Sequence, residues 1–268
     1  MPQVSVIVPV YNAEKYIYET LASIADQTFK DFDVHVVDDC STDESAAIIE
    51  RFCKQDHRFH YHRSPSNFGG PAGPRNLGIA RSSGEYVAFC DADDLWARHK
   101  LEVQMGVASD SDAAVVSAIA RDFPDGTVPK PFKRPEGRVA LSKVSHGALL
   151  LKNWINLSSV VIRRSVLAAA GPFNAAQSHI AVEDFDMWLR VTGRGATVLR
   201  VGVPLVHYRK VATSISARKI MMVGKALNVI GEDYARRGKS GVFACLRPVH
   251  WLLYLGTSVY MRVLKREL

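Results

Sequence analysis

Apolar and polar positions alternate between two periods along the first ninety residues. "VSVIVPV" (4–10) is a β-branched apolar run, short enough for a buried strand. "AEKYIYETLASIADQT" (13–28) has helical spacing, with Tyr16, Ile17, Thr20, Leu21 and Ile24 on one face and Asn12 as N-cap. "DVHVVDD" (33–39) predicts a second strand, and "TDESAAIIERFCKQ" (42–55) a helix capped by Ser41 or Thr42. "FHYHR" (59–63) predicts a third strand, "PRNLGIARSS" (74–83) a short helix behind a glycine-proline loop, and "EYVAFCD" (85–91) a fourth strand. Alternation at this pace predicts parallel βαβ units in an α/β fold. Ligands of such sheets bind outside the carboxyl ends of the strands. Pro9, Tyr11, Asp38, Asp39, Asp91 and Asp93 all fall at that edge.

The second half has a different rhythm. "RDFPDGTVPKPFKRPEGR" (121–138) reads as a loop or hairpin, and "SSVVIRRSVLAAAGPF" (158–173) as a strand and short helix stopped at Gly171-Pro172. "VEDFDMWLRVTG" (182–193) predicts an amphipathic helix opened by acids. "ATVLRVGVPLVHYR" (196–209) suggests two strands around Gly202, and the pattern from about 217 onward is helical.

Composition narrows this little. With 268 residues, 47% hydrophobic and 23% charged, the chain is ordinary globular protein, long enough for one large domain or one domain plus an appendage. A net charge of +7 favours an anionic partner. Nucleic acid is disfavoured, since neither zinc-finger spacing nor an aromatic-basic ribonucleoprotein signature occurs. Cys40, Cys53, Cys90 and Cys245 lack C-x-x-C spacing and read as reduced cytosolic thiols. The start, "MPQVSVIVPVYN", reads as a first strand and not a signal peptide.

Three short motifs carry candidate chemistry. "DADD" (91–94) crowds carboxylates at a strand end; such a turn either faces water ahead of a helix or holds a cation such as Mg²⁺ or Mn²⁺. "FGGPAGPRNLG" (68–78) lacks G-x-G-x-x-G and is not the first βα turn, so it is no dinucleotide fingerprint. A glycine-rich turn into a helix N-terminus still suits an anion, and Arg75 and Asn76 could reach a base or phosphate there. Glu183 and Asp184 either complement a helix dipole or supply a general base.

Together, "VSVIVPVYNAEKYIYETLASIADQT", "VVDDCSTDES", "GPRNLGIARSSGEYVAFCDADD" and "EDFDMWLR" resemble the family 2 inverting glycosyltransferases of GT-A fold, in order over roughly residues 3–210. The resemblance implies a Rossmann-like, mostly parallel sheet flanked by helices. It also implies a nucleotide-sugar donor, with UDP the leading nucleotide, a divalent cation (Mg²⁺ or Mn²⁺) and displacement with inversion. Carried over, Pro9, Tyr11, Asp39 and Arg75 would hold the nucleoside, with Asp91 near the ribose or metal and Asp93 on the metal. Asp184 would be the base, Glu183 would shape the acceptor site, and Trp188 of the same motif would join the substrate-binding residues. Many relatives carry a histidine two residues after a Tyr-Arg pair; here Tyr208-Arg209 is followed by Lys210 and Val211. Either His207 does the job from a shifted position, or Lys210 touches phosphate instead, or His207 is only a strand-end histidine.

The tail "RPVHWLLYLGTSVYMRVLKREL" (247–268) is too interrupted for a span of ~20 residues. Trp251, Tyr254 and Tyr260 with Arg262, Lys265 and Arg266 suit either a helix lying in a membrane interface or one packed on the domain or a homodimer partner. The expected organisation is a GT-A domain over 1–210, with a donor half (1–95) and an acceptor half (96–210), and a helical appendage over 211–268. The acceptor is a glycan or lipid-linked sugar, and the location cytoplasmic, extending to the inner face of the cytoplasmic membrane. A metal-dependent nucleotidyltransferase and a non-catalytic sugar-nucleotide binding module are the alternatives.

Overall fold

A computed structural model of the chain describes residues 1–211 and 219–264. The first strand, β1 (Val4–Val10), is buried on both faces, as its unbroken apolar run requires. Val4, Val6, Val8 and Val10 face one core layer, and Ile7 faces the other. β1 pairs in parallel with β2 (Phe32–Asp38) and β4 (Tyr86–Phe89), and β2 with β3 (Phe59–Arg63). Helices α1 (Ile17–Ala25), α2 (Ser45–Gln55) and α3 (Ala72–Arg81) make the crossovers. α1 buries Ile17, Thr20, Leu21 and Ile24, the face its spacing predicts. Gly78 lets α3 press onto β1, since a Cβ there would lie 2.7 Å from Ile7 Cγ2.

The sheet continues beyond β4. β5 (Leu95–Trp96) and α4 (Lys100–Ser109) precede β6 (Val115–Pro124); β7 (Leu141–Lys143) and α5 (His146–Leu151) precede β8 (Val161–Arg163). α6 (Arg164–Ala170) and α7 (Glu183–Gly193) lead to β9 (Val198–Lys210). The strand order is β3-β2-β1-β4-β8-β6-β9-β5, with β7 paired to β9. β8 runs antiparallel to both β4 and β6, while β6 and β9 are parallel, so most strands aim their carboxyl ends at one edge. α8 (Lys219–Arg236) and α9 (Ser240–Leu264) close the chain.

Several local expectations are corrected. Asn12 does not cap α1; it adopts left-handed backbone (φ 49°), and its side-chain oxygen accepts from Thr42 N at 2.9 Å. It thereby ties the loop after β1 to the loop before α2. Neither Ser41 nor Thr42 caps α2, which begins at Ser45; Ser41 Oγ instead accepts from Asn12 N at 3.0 Å. Residues 121–124 belong to β6, because their partners Tyr208, Arg209 and Lys210 extend beside them; the loop begins only at Asp125. The two strands expected around Gly202 are one strand with bulges opposite Ala118–Ala120, which absorb the glycine without a break.

The tail packs by one face and exposes the other. Phe243, His250 and Tyr254 turn inward: His250 Nδ1 bonds Leu150 O at 3.1 Å, and the Tyr254 hydroxyl donates to Leu149 O at 3.1 Å. Trp251 and Leu252 point outward, 47% and 62% exposed. The side chains of Tyr260 and Arg262, and Lys265 and Arg266 altogether, lie outside the described residues. Among the described residues no helix is long and apolar enough to cross a membrane. All four cysteines are unpaired.

Candidate active site

The carboxyl edge gathers its acids from three places: the end of β2, the 91–94 turn and the start of α7. Pro9 closes β1 beside Val37, and Tyr11, just beyond it, is 56% exposed. At the end of β2 the two aspartates differ. Asp38 is fully buried and accepts from Ser41 N at 2.9 Å and the Tyr61 hydroxyl at 3.0 Å. Asp39 accepts from Phe68 N at 3.0 Å, while its backbone oxygen takes Asn67 Nδ2 at 2.9 Å. Burial pushes the Asp39 carboxyl above its ordinary pKa. Asp39 thus holds the glycine-rich loop down over the end of β2. Among the described residues three besides glycine adopt left-handed backbone, and each sits on a loop of this region: Asn12, Cys40 and Ala181. Such strain persists where surrounding contacts fix it, commonly at functional loops.

The "DADD" turn divides into three fates. Asp94 is fully buried and structural: it accepts from the Ser158 hydroxyl and from Arg209 N at 3.1 Å. Ser158 Oγ also accepts from Asp91 N at 3.1 Å, and Trp96 Nε1 donates to Ser158 O at 2.9 Å. Asp91 pairs with Arg75, Nη2 to Oδ1 at 2.7 Å. Asp93 alone makes no hydrogen bond or ion pair to another side chain among the described residues. Burial, then repulsion from Asp91, pushes its carboxyl up to about 6. A half-buried carboxylate with its charge resisted and no partner fits a divalent cation, so Asp93, with Asp91 beside it, is the fitting donor set.

Arg75 links the 91–94 turn to α7. Placed by α3 and almost fully buried, its guanidinium gives Nη2 to Asp91 and Nη1 to Glu183 Oε1. Burial opposes its charge, but the two carboxylates outweigh burial and raise its pKa. It is therefore a bridge between the 91–94 turn and α7, not an open nucleoside contact. Glu183 Oε2 and Arg75 Nε keep no partner.

Asp184 sits next to that bridge. Its Oδ1 accepts from Phe185 N at 2.7 Å and its Oδ2 from Asn153 Nδ2 at 3.4 Å. Burial first, then Glu183, push its carboxyl up to about 7, against the pull of Arg75. A proton acceptor poised near neutrality matches the requirement for a general base. Asp184 thus resists ionisation because it is buried beside Glu183, and the Arg75 charge offsets this only in part.

Two expected site residues are elsewhere. Trp188 is fully buried, on the side of α7 that faces the core with Phe185, Leu189 and Val191, where a substrate cannot reach it. His207 lies in β9 stacked on Phe132, ring centroids 3.8 Å apart, and burial depresses its basicity. No grouping of ligand atoms joins it to Asp91 and Asp93 among the described residues. Lys210 is exposed and pairs with Asp122 at 3.6 Å. Arg209 takes the structural place instead. Its Nε donates to Asp93 O at 2.9 Å, and its guanidinium pairs with Glu19 at 2.7 Å beneath the Tyr16 and Phe123 rings. The signal for Arg209 and Ser158 was the crowding at 91–94, since buried aspartate needs donors.

A second polar cluster, His179, Asp186 and Glu232, brings three ligand-type atoms within 4.8 Å of one another. Asp186 there is already ion-paired to Arg190 at 2.9 Å and Arg236 at 3.0 Å, so the cluster ties α7 to α8.

A largely parallel sheet with this acidic edge is the GT-A scaffold of glycosyltransferases. Staphylococcus aureus TarS (residues 1–349, solved with UDP-GlcNAc) superposes with a TM-score of 0.69 over 86% of this chain and 65% of that one, at 24% identity. The mannosyltransferase PcManGT of Pyrobaculum calidifontis, solved with GDP-Man and Mn²⁺, gives 0.66 over 94% of this chain and 70% of that one, at 21% identity. The chain belongs to glycosyl transferase family 2, whose sequence model matches residues 5–162, and is a glycosyltransferase. TuaG of Bacillus subtilis, assigned by name to teichuronic acid biosynthesis, is 33% identical over 81% of this chain and 83% of its own. Escherichia coli WfaP, named UDP-Glc:alpha-D-GlcNAc-diphosphoundecaprenol beta-1,3-glucosyltransferase, is 28% identical over 86% of each chain.

Asp184 carries a pH prediction. If it takes the acceptor proton, kcat/KM rises with pH through about 7 and levels above, because below that value the group already holds a proton. Its raised pKa also means that the folded chain binds this proton more tightly than the unfolded chain between pH 3.8 and about 7. Its contribution to stability is therefore greatest at low pH and declines as pH rises through that window. Asp184→Asn is expected to lower turnover by at least ~10²-fold with nucleotide affinity unchanged. Initial rates from pH 5.5 to 8.5 check this; a flat profile, or normal turnover in the variant, contradicts it.

Proposed function

We propose that the chain transfers a sugar from a UDP-sugar to a hydroxyl of a glycan or lipid-linked acceptor, with inversion at the anomeric carbon, in surface polysaccharide or glycolipid synthesis. One observation carries this reading: the Arg75 guanidinium joins Asp91, on the turn that holds Asp93, to Glu183, the neighbour of Asp184. Residues 1–95 serve the donor, residues 96–210 the acceptor, and 211–268 form the helical appendage. The names of WfaP and TuaG support the acceptor class, and the TarS complex supports the nucleotide.

In this reading the acceptor hydroxyl gives its proton to Asp184 as its oxygen attacks the anomeric carbon from the face opposite the diphosphate. The bond from that carbon to the diphosphate oxygen breaks, and the sugar ring passes through oxocarbenium character. Asp93 and Asp91 would hold Mg²⁺ or Mn²⁺, which when bound supplies Lewis-acid stabilisation of the charge left on the diphosphate. Pro9, Tyr11 and Asp39 line the nucleoside end. Arg75 keeps the two sides in register, and Glu183, fixed by it, borders the acceptor.

The outer face of α9 adds membrane contact to the proposal. Leu246, Val249, Trp251, Leu252 and Leu253 are exposed together with Arg247, the pattern of a helix seated in a headgroup boundary. The location that follows is the inner face of the cytoplasmic membrane.

A panel of sugar nucleotides with Mg²⁺ or Mn²⁺ tests the reaction. Released nucleoside diphosphate is expected; released pyrophosphate would mean nucleotidyl transfer, and tight binding without any release a non-catalytic module. Asp93→Ala is expected to abolish release and weaken metal-dependent nucleotide binding, and excess EDTA to do the same to the unsubstituted chain. Full activity in either case removes the metal assignment. For α9, flotation with anionic vesicles is expected to carry the protein at low salt and lose it as salt shortens the Debye length below ~8 Å. No lipid-dependent shift at low salt removes the membrane contact.

A further inference from the structure

Beside the base lies a charged aromatic surface that the reaction above leaves unused. Asn153 donates to Asp184, and its own side-chain oxygen accepts from Ile155 N at 3.1 Å, so this segment is fixed against α7. The next residue, Trp154, is 42% exposed. Lys152 Nζ stands 4.4 Å from the centroid of its ring, and the Arg200 guanidinium, from the early part of β9, 5.9 Å. Arg200 is half-buried, its Nε makes no hydrogen bond, and no carboxylate pairs with it among the described residues. Burial alone acts on it, lowering its pKa. A half-buried guanidinium with no counter-ion is costly, and a bound anion recovers that cost through charge-assisted hydrogen bonds. An exposed indole offers a flat apolar face next to those charges.

We propose that Lys152, Trp154 and Arg200 form an acceptor subsite for a pyranose bearing a phosphate or diphosphate. The indole takes the sugar face, and the two cations take the phosphoryl oxygens. The proposal rests on Asp184 as the base, since Asn153 is what sets the subsite beside it. The chain's net charge of +7 agrees with an anionic acceptor. No aliphatic side chain belongs to the subsite, so it reads sugar and phosphate, whether or not a lipid is attached.

Three probes with one sugar test it on the full chain: an alkyl pyranosyl diphosphate, the same diphosphate without the alkyl chain, and a neutral alkyl pyranoside. The unsubstituted protein is expected to favour both diphosphates over the pyranoside by ~10-fold or more in KM, the scale of a hydrogen bond to a charged group. Lys152→Gln, Trp154→Ala and Arg200→Gln are each expected to raise KM for the diphosphates by ~10-fold, leaving the pyranoside within ~2-fold. UDP affinity by calorimetry reports whether each variant is folded. Should Arg200→Gln lose UDP binding, Lys152→Gln and Trp154→Ala, at a half-buried and an exposed position, decide the matter. Asp184→Asn alongside separates the two readings: normal turnover there removes the base, while a diphosphate preference that survives the subsite substitutions removes the subsite. Equal use of all three probes by the unsubstituted protein, or a demand for the alkyl chain alone, also overturns it.

Discussion

The Arg75 guanidinium, almost fully buried between Asp91 and Glu183, is the interaction on which the site depends. A buried arginine is tolerable only when its charge is met, and here Asp91 meets it from the turn after β4 and Glu183 from α7. The geometry needs α3 close against β1, which Gly78 permits, and α7 aimed with its first turn at the sheet edge. Removing the guanidinium would leave two carboxylates facing each other, with Asp184 adding a third. The same bridge fixes Glu183 beside Asp184, whose raised proton affinity comes first from burial and then from Glu183.

Around this bridge, chemically identical residues acquire different roles from their surroundings. Asp94 is spent on Ser158 and the Arg209 amide, Asp91 on Arg75, and Asp93 has no side-chain partner among the described residues. The turn is rigid because it is anchored from behind: Arg209 reaches it from β9, Ser158 from the segment before β8, and Trp96 closes on Ser158. The repulsion within "DADD" is thus relieved twice by protein, leaving one carboxylate for a cation.

Much of this was legible in the sequence where local pattern decides structure. β1, β2, β3 and the buried face of α1 follow from their periodicity, and placing Asp39, Asp91 and Asp93 at one edge follows from the rule for parallel sheets. What was not legible depends on long-range contacts. β6 extends through residues 121–124 because β9 lies alongside, although proline and arginine there read as loop. His207 was expected near the metal, but the strand register puts Arg209 at the turn and His207 on Phe132. Trp188 belongs to a motif that carries catalytic acids, yet the helical period turns it into the core. That Arg75 would bind two carboxylates 16 and 108 positions away could not be read from its loop.

The central claim is that one guanidinium couples the 91–94 turn to α7, the two elements proposed to hold the metal and the base. A double-mutant cycle on Arg75→Met and Glu183→Gln, followed by reversible urea unfolding at pH 7, measures that coupling directly. Each single substitution leaves a buried charge or dipole without its partner. The double variant removes both, so the account predicts a cost smaller than the sum of the two by roughly 0.5–3 kcal/mol. Additivity within ~0.5 kcal/mol would mean that Arg75 and Glu183 do not act as a pair, and would contradict the account.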